Sequence, residues 1–279
     1  MKDRPTLKGR ETDELPSALD HIADIRVRAA EKAHVVVFLD YDGTLTPIVN
    51  RPEDAVLSDA MKDIVRWLAQ KCTVAVISGR GLEDVRERVG IDDIFYVGSH
   101  GFEIAGPGGW RQEYEQAEAY LPVLDQAEKE LQKALNGIAG LQIERKRYSI
   151  AVHYRRVAEQ AHRKVEERAR IVQQKHQRDL RVSSGKCVYD FQAKIDWHKG
   201  KALDWVLEAA SLKSTEVFSV YIGDDITDED AFRAVKNRGV GIIVREGKRH
   251  TDASYALNTT AEVGQFLEEF ASGLPGKRW

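Results

Sequence analysis

Apolar residues along this chain fall into two rhythms. Short unbroken runs at Val35–Leu39, Thr73–Ile77 and Phe218–Ile222 are rich in β-branched residues. Runs of that length and composition, without polar alternation, predict strands buried on both faces. Between them the apolar positions recur at helical spacing. Met61, Ile64, Val65 and Leu68 form one stripe within Ser58 to Lys71, behind a serine suited to an N-cap, and Leu203, Val206, Leu207 and Ala210 form another. Strands alternating with helices from Val35 to about Gly106 imply βαβ units and a parallel sheet. The same grammar resumes at Lys199, is expected to end with a strand at Gly239 to Val244, and closes with a helix near Ala261 to Phe270.

The rhythm changes after the turn-rich stretch Gly106-Pro107-Gly108-Gly109. There follow a long polar helix around Ala117 to Leu135 and two alternating strands around Gln142 to Arg155. A highly charged helix from Glu159 to Gln177 and strand-like stretches near Leu180 to Ser183 and Val188 to Phe191 complete the segment. The expected organisation is therefore an N-terminal extension, residues 1–32, then a catalytic core formed by residues 33–106 and 195–279. An α+β domain, residues 107–194, is inserted into that core. Leu15, Leu19, Ile22 and Ile25 give the extension a helical pattern beyond a first dozen residues expected to be mobile.

Composition narrows the function classes only a little. A chain of 279 residues with 42% hydrophobic and 31% charged residues can bury a substantial core. A net charge of -3 argues against a dedicated nucleic-acid binder, and no run reaches membrane-spanning length. The basic groups Arg145-Lys146-Arg147 and Arg155-Arg156 flank a strand pattern and suit a solvated or sugar-phosphate-facing surface. Cys72 and Cys187 stand far apart, so no disulfide framework is expected. No apolar leader follows the charged N-terminal residues, which makes the reducing cytoplasm the expected compartment.

Candidate chemistry gathers at the strand ends, where open α/β sheets bind their ligands. The first run ends in Asp40-Tyr41-Asp42-Gly43-Thr44, two carboxylates spaced to leave the strand on one side. Alone, such a pair also suits a strand-to-turn junction. A second acidic group, Asp224-Asp225-Ile226-Thr227-Asp228-Glu229-Asp230, follows the strand Phe218–Ile222, and carboxylates brought together repel unless a cation joins them. Hard oxygen ligands with a phosphate point to Mg²⁺. Ser78-Gly79-Arg80 supplies donors of the type phosphate oxygens accept, although Ser78 equally fits a helix N-cap. Lys199 opposes the dipole at a helix start, which suits an anion there, while a solvated lysine is the plainer alternative.

In their order, these four motifs resemble those of the haloacid dehalogenase superfamily of aspartate-nucleophile phosphatases. The resemblance implies a Rossmann-like parallel-sheet core with an inserted α+β cap. It assigns Asp40 as nucleophile, Asp42 as acid/base, Ser78 as phosphate-binding hydroxyl and Lys199 as the neutralising lysine. It makes Asp224 a metal ligand and Asp228 a ligand or a partner behind one. A narrower resemblance, to trehalose-6-phosphate phosphatases, rests on three segments: Leu39 to Val49, Gly98-Ser99-His100-Gly101-Phe102-Glu103-Ile104 and Gly223 to Phe232. Glu144-Arg145-Lys146, Val152-His153-Tyr154-Arg155 and Lys194-Ile195-Asp196-Trp197 support it. This likeness nominates Arg80, His100, Glu103, Glu144, Lys146, Lys186 and Asp190 for substrate binding. Where that family often reads Gly-x-Lys-x-x-Glu followed by Leu-Arg-Pro, this chain has Gly185-Lys186-Cys187-Val188-Tyr189-Asp190-Phe191-Gln192-Ala193, with the acid one methylene shorter.

The implied activity is Mg²⁺-dependent hydrolysis of trehalose 6-phosphate through an aspartyl-phosphate, the last step of trehalose biosynthesis. Mg²⁺ would be held by Asp40, the backbone carbonyl of Asp42, Asp224 and Asp228. A lid would exclude stray water from the aspartyl-phosphate, and its side chains would select the sugar. Association with the synthase that makes the phosphorylated disaccharide belongs to the same expectation. The alternatives are a phosphatase of sucrose, mannosylglycerate or hexose phosphates, a phosphomutase, and a silent sugar-phosphate sensor. The full set Asp40, Asp42, Ser78, Lys199 and Asp224 argues against the sensor, because a binder needs neither nucleophile nor acid.

Overall fold

The computed structural model of the protein describes residues 9–49, 51–185 and 187–276. The side chains of His100 and Ser184 are outside that description. The chain divides into two compact units. One comprises Met1–Gln112 with Trp197–Trp279, and the other comprises Glu113–Asp196.

The chain enters through β1 (Arg10–Glu11) and α1 (Ile22–Ala30). It continues through β2 (His34–Leu39), α2 (Asp59–Lys71), β3 (Thr73–Ile77), α3 (Leu82–Val89), β4 (Phe95–Gly98), β5 (Glu103–Ala105) and β6 (Arg111–Glu113). The second unit holds α4 (Leu121–Leu135), β7 (Gln142–Lys146), β8 (Ser149–His153), α5 (Glu159–His176), β9 (Leu180–Gly185) and β10 (Val188–Ala193). The first unit resumes with α6 (Lys199–Ala209), β11 (Val217–Gly223), α7 (Glu229–Val235), β12 (Gly239–Val244), β13 (His250–Thr251), β14 (Tyr255–Leu257) and α8 (Thr260–Ser272).

Among the described residues, the main sheet runs in the order β14-β12-β11-β2-β3-β4-β5-β6. It is parallel from β14 to β4 and turns antiparallel at β5, so the fold is the expected α/β type with a parallel core. Alternation along β2 builds both layers. Val37 and Leu39 join a core with Val65 and Leu68 of α2 and Phe266 and Phe270 of α8, while the intervening Val36 and Phe38 are fully buried on the other face. On that other face Tyr221 of β11 meets Phe232 of α7 edge to face. The expected cap of α2 is present, with Ser58 Oγ accepting from the Met61 amide at 3.2 Å. Gly81, not Ser78, sits at the N-cap of α3.

Two expectations are corrected at the termini. The leader helix is shorter than its apolar spacing predicts, because Leu15 and Leu19 precede α1. The main chain there is spent on β14, with Ala18 N–H donating to the Ala256 carbonyl and Ala256 N–H to that of Pro16. The sheet also does not end at Gly239–Val244. The short strand β14 lies outside β12, parallel to it, and three residues are too few to register as an apolar run.

In the second unit the sheet order is β7-β8-β10-β9, with antiparallel neighbours. Ile150, Val152, Tyr189 and Phe191 pack with Leu124, Leu131, Val165 and Val172 of α4 and α5 in a separate core. The helix expected from Ala117 begins as a 3₁₀ segment at Glu115–Tyr120 and becomes α-helical at Leu121, next to Pro122.

Candidate active site

Asp40 is the first residue beyond β2, and its amide donates to the Ile222 carbonyl of β11, extending the parallel ladder by one bond. The chain then folds back. Gly43 N–H donates to Thr46 O, and the amides of Leu45 and Thr46 both donate to Tyr41 O. Gly43 has φ +85°, and a Cβ there would stand 2.1 Å from Asp224 Oδ2, so only glycine lets the two strand-end loops approach this closely.

Three buried carboxylates, of Asp40, Asp224 and Asp228, offer oxygens that all lie within 4.8 Å of one another. Lys199, the first residue of α6, is also buried, and its Nζ donates to Asp40 Oδ1 and to Asp228 Oδ1 at 2.6 Å each. Asp228 takes two further kinds of donor. The Tyr221 hydroxyl reaches Oδ1 at 2.5 Å, and the amides of Asp224 and Asp225 reach Oδ2 at 3.0 and 2.9 Å. A carboxylate has about four lone-pair sites, so these donors occupy Asp228 fully.

The charge balance of the cluster is uneven. Burial pulls the Lys199 ammonium down, but the carboxylates of Asp228 and Asp40 more than reverse this and keep it protonated. One ammonium does not offset three carboxylates. Burial, with the neighbouring acids, therefore pushes Asp40 and Asp224 above the ordinary carboxylate range. A buried excess of anionic oxygen is the environment a small hard cation relieves, and the donors present fit a divalent metal.

Ser78 follows β3, beside β2, and is fully buried. Its Oγ accepts from the Arg80 amide at 3.1 Å, which leaves the hydroxyl hydrogen for an anion. Arg80 itself is turned toward Asp42. Its Nε and Nη2 donate to Asp42 Oδ2 and Oδ1 at 2.7 Å each, and its remaining donors go to Asp84 and the Pro52 carbonyl. Glu103 is buried and accepts from Ser99 Oγ at 2.5 Å.

The described nominees of the second unit, Glu144, Lys146 and Asp190, share one face of its sheet. Glu144, Ala151, Asp190 and Ser183 form one cross-strand row, and Lys146, Ser149, Gln192 and Arg181 form the next. This is the face opposite the side chains that meet α4 and α5. Glu144 bonds His153 Nε2 at 2.9 Å, Gln192 donates to Asp190, and Arg181 donates to Gln192 Oε1 at 3.2 Å. The shortened acid is thus held by the amide two residues on, with a guanidinium from the neighbouring strand behind it. Arg145 and Arg147 are neutralised by Asp125, Glu128, Glu113 and Glu118. Lys186 and the side chain of His100 lie outside the described residues.

Sequence reasoning missed Tyr221, whose place in an apolar strand carries no sign of a polar task. It also missed the Glu229–Arg249 pair that backs Asp224. Among the described residues no helix is long and apolar enough to cross a membrane, and neither cysteine is in a disulfide.

Comparison with known proteins agrees with this arrangement. The model of a family described as trehalose-phosphatase matches residues 38–261. The trehalose-phosphate phosphatase of Mycobacterium marinum is 42% identical over 270 residues, covering 95% of this chain and 68% of that relative. The trehalose-phosphate phosphatase of Mycobacterium tuberculosis H37Rv is 40% identical over 269 residues, with the same coverage of 95% and 68%. The solved C-terminal domain of Candida albicans trehalose-6-phosphate phosphatase shares the fold, with a TM-score of 0.79 at 21% identity over 94% of this chain and 100% of that one. All four strand-end motifs, at Asp40, Ser78, Lys199 and Asp224, fall inside the matched region, and the chain belongs to the trehalose-phosphatase family.

Proposed function

We propose that this protein hydrolyses trehalose 6-phosphate to trehalose and inorganic phosphate, with Asp40 as nucleophile. The observation that carries the reading is the buried Lys199 bridge between Asp40 and Asp228, set beside Asp224 at the ends of adjacent parallel strands. Asp40 attacks phosphorus and forms an O–P bond as the bond to the sugar oxygen breaks. Asp42 gives its proton to that departing oxygen. As a carboxylate it then takes a proton from the water that attacks the aspartyl-phosphate, which releases phosphate and restores Asp40. Ser78 and Lys199 donate to the phosphoryl oxygens. Lys199 does so from the N-terminus of α6, where the helix dipole adds to its charge.

Mg²⁺ is the metal assigned to the site, where it would neutralise and orient the phosphate. The carboxylates of Asp40 and Asp224 and the backbone carbonyl of Asp42 would hold it there. Asp228, with its oxygens filled by four donors, acts behind Asp224 and Lys199. Arg80 acts behind Asp42. A bidentate ion pair occupies both Asp42 oxygens, so proton delivery requires the carboxylate to turn off the guanidinium.

The polar sheet face bearing Glu144, Lys146 and Asp190 is assigned to sugar selection with Glu103, His100 and Lys186. Charged and amide groups there suit a hydroxyl-rich disaccharide. The same reading places the protein in the reducing cytoplasm, beside the synthase that supplies its substrate. Co-purification with that synthase tests the association.

Phosphate release from trehalose 6-phosphate, sucrose 6-phosphate, glucose 6-phosphate and an aryl phosphate, with Mg²⁺ and with chelator, tests the whole assignment. The expected result is Mg²⁺-dependent hydrolysis with strong preference for trehalose 6-phosphate. Equal rates on all would remove the substrate assignment, and binding without release would favour the sensor.

A further inference from the structure

We infer that Arg249 is a positioning residue for the metal site, acting through the Asp224 peptide and lying outside every catalytic motif. The inference rests on the assignment of Asp224 as a metal ligand. Asp224 directly follows β11, and both polar groups of its backbone are tied. Its N–H donates to Asp228 Oδ2 at 3.0 Å, and its carbonyl accepts from Arg249 Nη2 at 2.9 Å. With the peptides on both sides of its Cα held, Asp224 has the direction of its Cα–Cβ bond fixed and so the reach of its carboxylate, which works within 2.1 Å of the Cβ space that Gly43 leaves open.

The other arm of Arg249 gives the clamp its direction. Nη1 donates to Glu229 Oε1 at 2.7 Å, and the second oxygen of Glu229 accepts from the Asp252 amide at 2.8 Å. Glu229 is only 2% exposed, and a carboxylate so buried requires partners of this kind. The segment carrying Arg249 is anchored in turn by Thr12, which is 1% exposed. The Thr12 hydroxyl donates to the Gly247 carbonyl at 2.9 Å and accepts from the Arg249 amide at 3.2 Å, and Thr12 N–H donates to the Arg249 carbonyl at 2.9 Å. A contiguous path therefore runs from the N-terminal strand β1 through Arg249 to the ligand loop. Partners behind metal ligands are worth about 10- to 100-fold in metal affinity when removed.

The test is calorimetric titration of Mg²⁺ into substrate-free protein, for wild type, Arg249→Met, Arg249→Lys and Arg233→Met. Arg233 is a matched control, since it pairs with Asp230 and Asp252 on the same helix surface without reaching the Asp224 carbonyl. Arg249→Met is expected to weaken Mg²⁺ binding about tenfold or more. Arg249→Lys, which keeps the charge but lacks the planar fork whose two nitrogens reach the Asp224 carbonyl and Glu229 together, should fall between, and it carries the test should the methionine variant not fold. Arg233→Met should bind as wild type does. In activity assays, excess Mg²⁺ should restore most of the kcat of the Arg249 variants. Wild-type affinity in a folded Arg249→Lys protein, or an equal loss in Arg233→Met, would overturn the inference. Failure of the wild type to bind Mg²⁺ would instead overturn the metal assignment beneath it.

Discussion

Each catalytic side chain works under a constraint set by its immediate partners, and the Asp40–Asp224 pair shows it through pH. Burial and neighbouring acids raise both carboxylates in the metal-free fold. A carboxylate whose folded pKa exceeds the unfolded value of about 4 binds more protons in the native state, so stability falls as pH rises above that value. Thermal unfolding in chelator should therefore show Tm decreasing as pH is raised from 5 to 8, and Mg²⁺ should flatten that slope by favouring the ionised forms. Parallel curves with and without Mg²⁺ would contradict the site. Arg80 lends itself to a test by leaving group. A sugar alkoxide needs a proton, the one proposed to come from Asp42, whereas an aryl oxide departs unaided. Arg80→Lys, which loosens the bidentate fork that Asp42 must leave to deliver its proton, should lower kcat on the sugar phosphate no more than on the aryl phosphate, and a selective loss on the sugar phosphate would contradict that order of events.

At the level of elements, the site depends on loops that leave parallel strands at matched heights. Register pairs Leu39 of β2 with Ile222 of β11 and with Val76 of β3, so the Asp40, Asp224 and Ser78 segments emerge side by side. Gly43 is where the two acidic loops touch. Gly43→Ala must place a methyl 2.1 Å from Asp224 Oδ2 at a φ of +85°. The backbone term alone costs about 1–2 kcal/mol. Displacement of Asp224 should in addition raise the Mg²⁺ concentration needed for half-maximal activity, which a metal titration at fixed substrate measures.

For the whole molecule, the two units have separate cores: one drawn from residues between Ala18 and Leu274 outside the insert, the other from Val123 to Phe191. Under the proposed assignment, phosphoryl chemistry and sugar selection can be perturbed independently. Asp190→Ala or Glu144→Gln should raise KM for trehalose 6-phosphate by about tenfold, the worth of a hydrogen bond to a sugar hydroxyl, and leave aryl phosphate hydrolysis close to wild type. Equal losses on both substrates would place these residues in the fold rather than in recognition.

The amino-acid sequence alone determined the buried strands, the Ser58-capped helix and the carboxylates at the ends of β2 and β11. These features are local, since apolar run length, β-branching and capping chemistry act within a few residues of chain. It also marked the change of rhythm that precedes the second unit. Strand order, by contrast, required the tertiary structure, because parallel pairing joins segments tens of residues apart and no short-range pattern encodes the neighbour. For the same reason Pro16–Ala18 pairs with β14 despite its helical spacing. Residue roles divide likewise. The place of Asp40 at a strand end could be read from its motif, but Asp228 became a fully donated carboxylate only when Lys199, Tyr221 and two amides converged on it. Arg249 acquired its task only when folding carried it to the Asp224 carbonyl, a contact spanning 25 residues of chain.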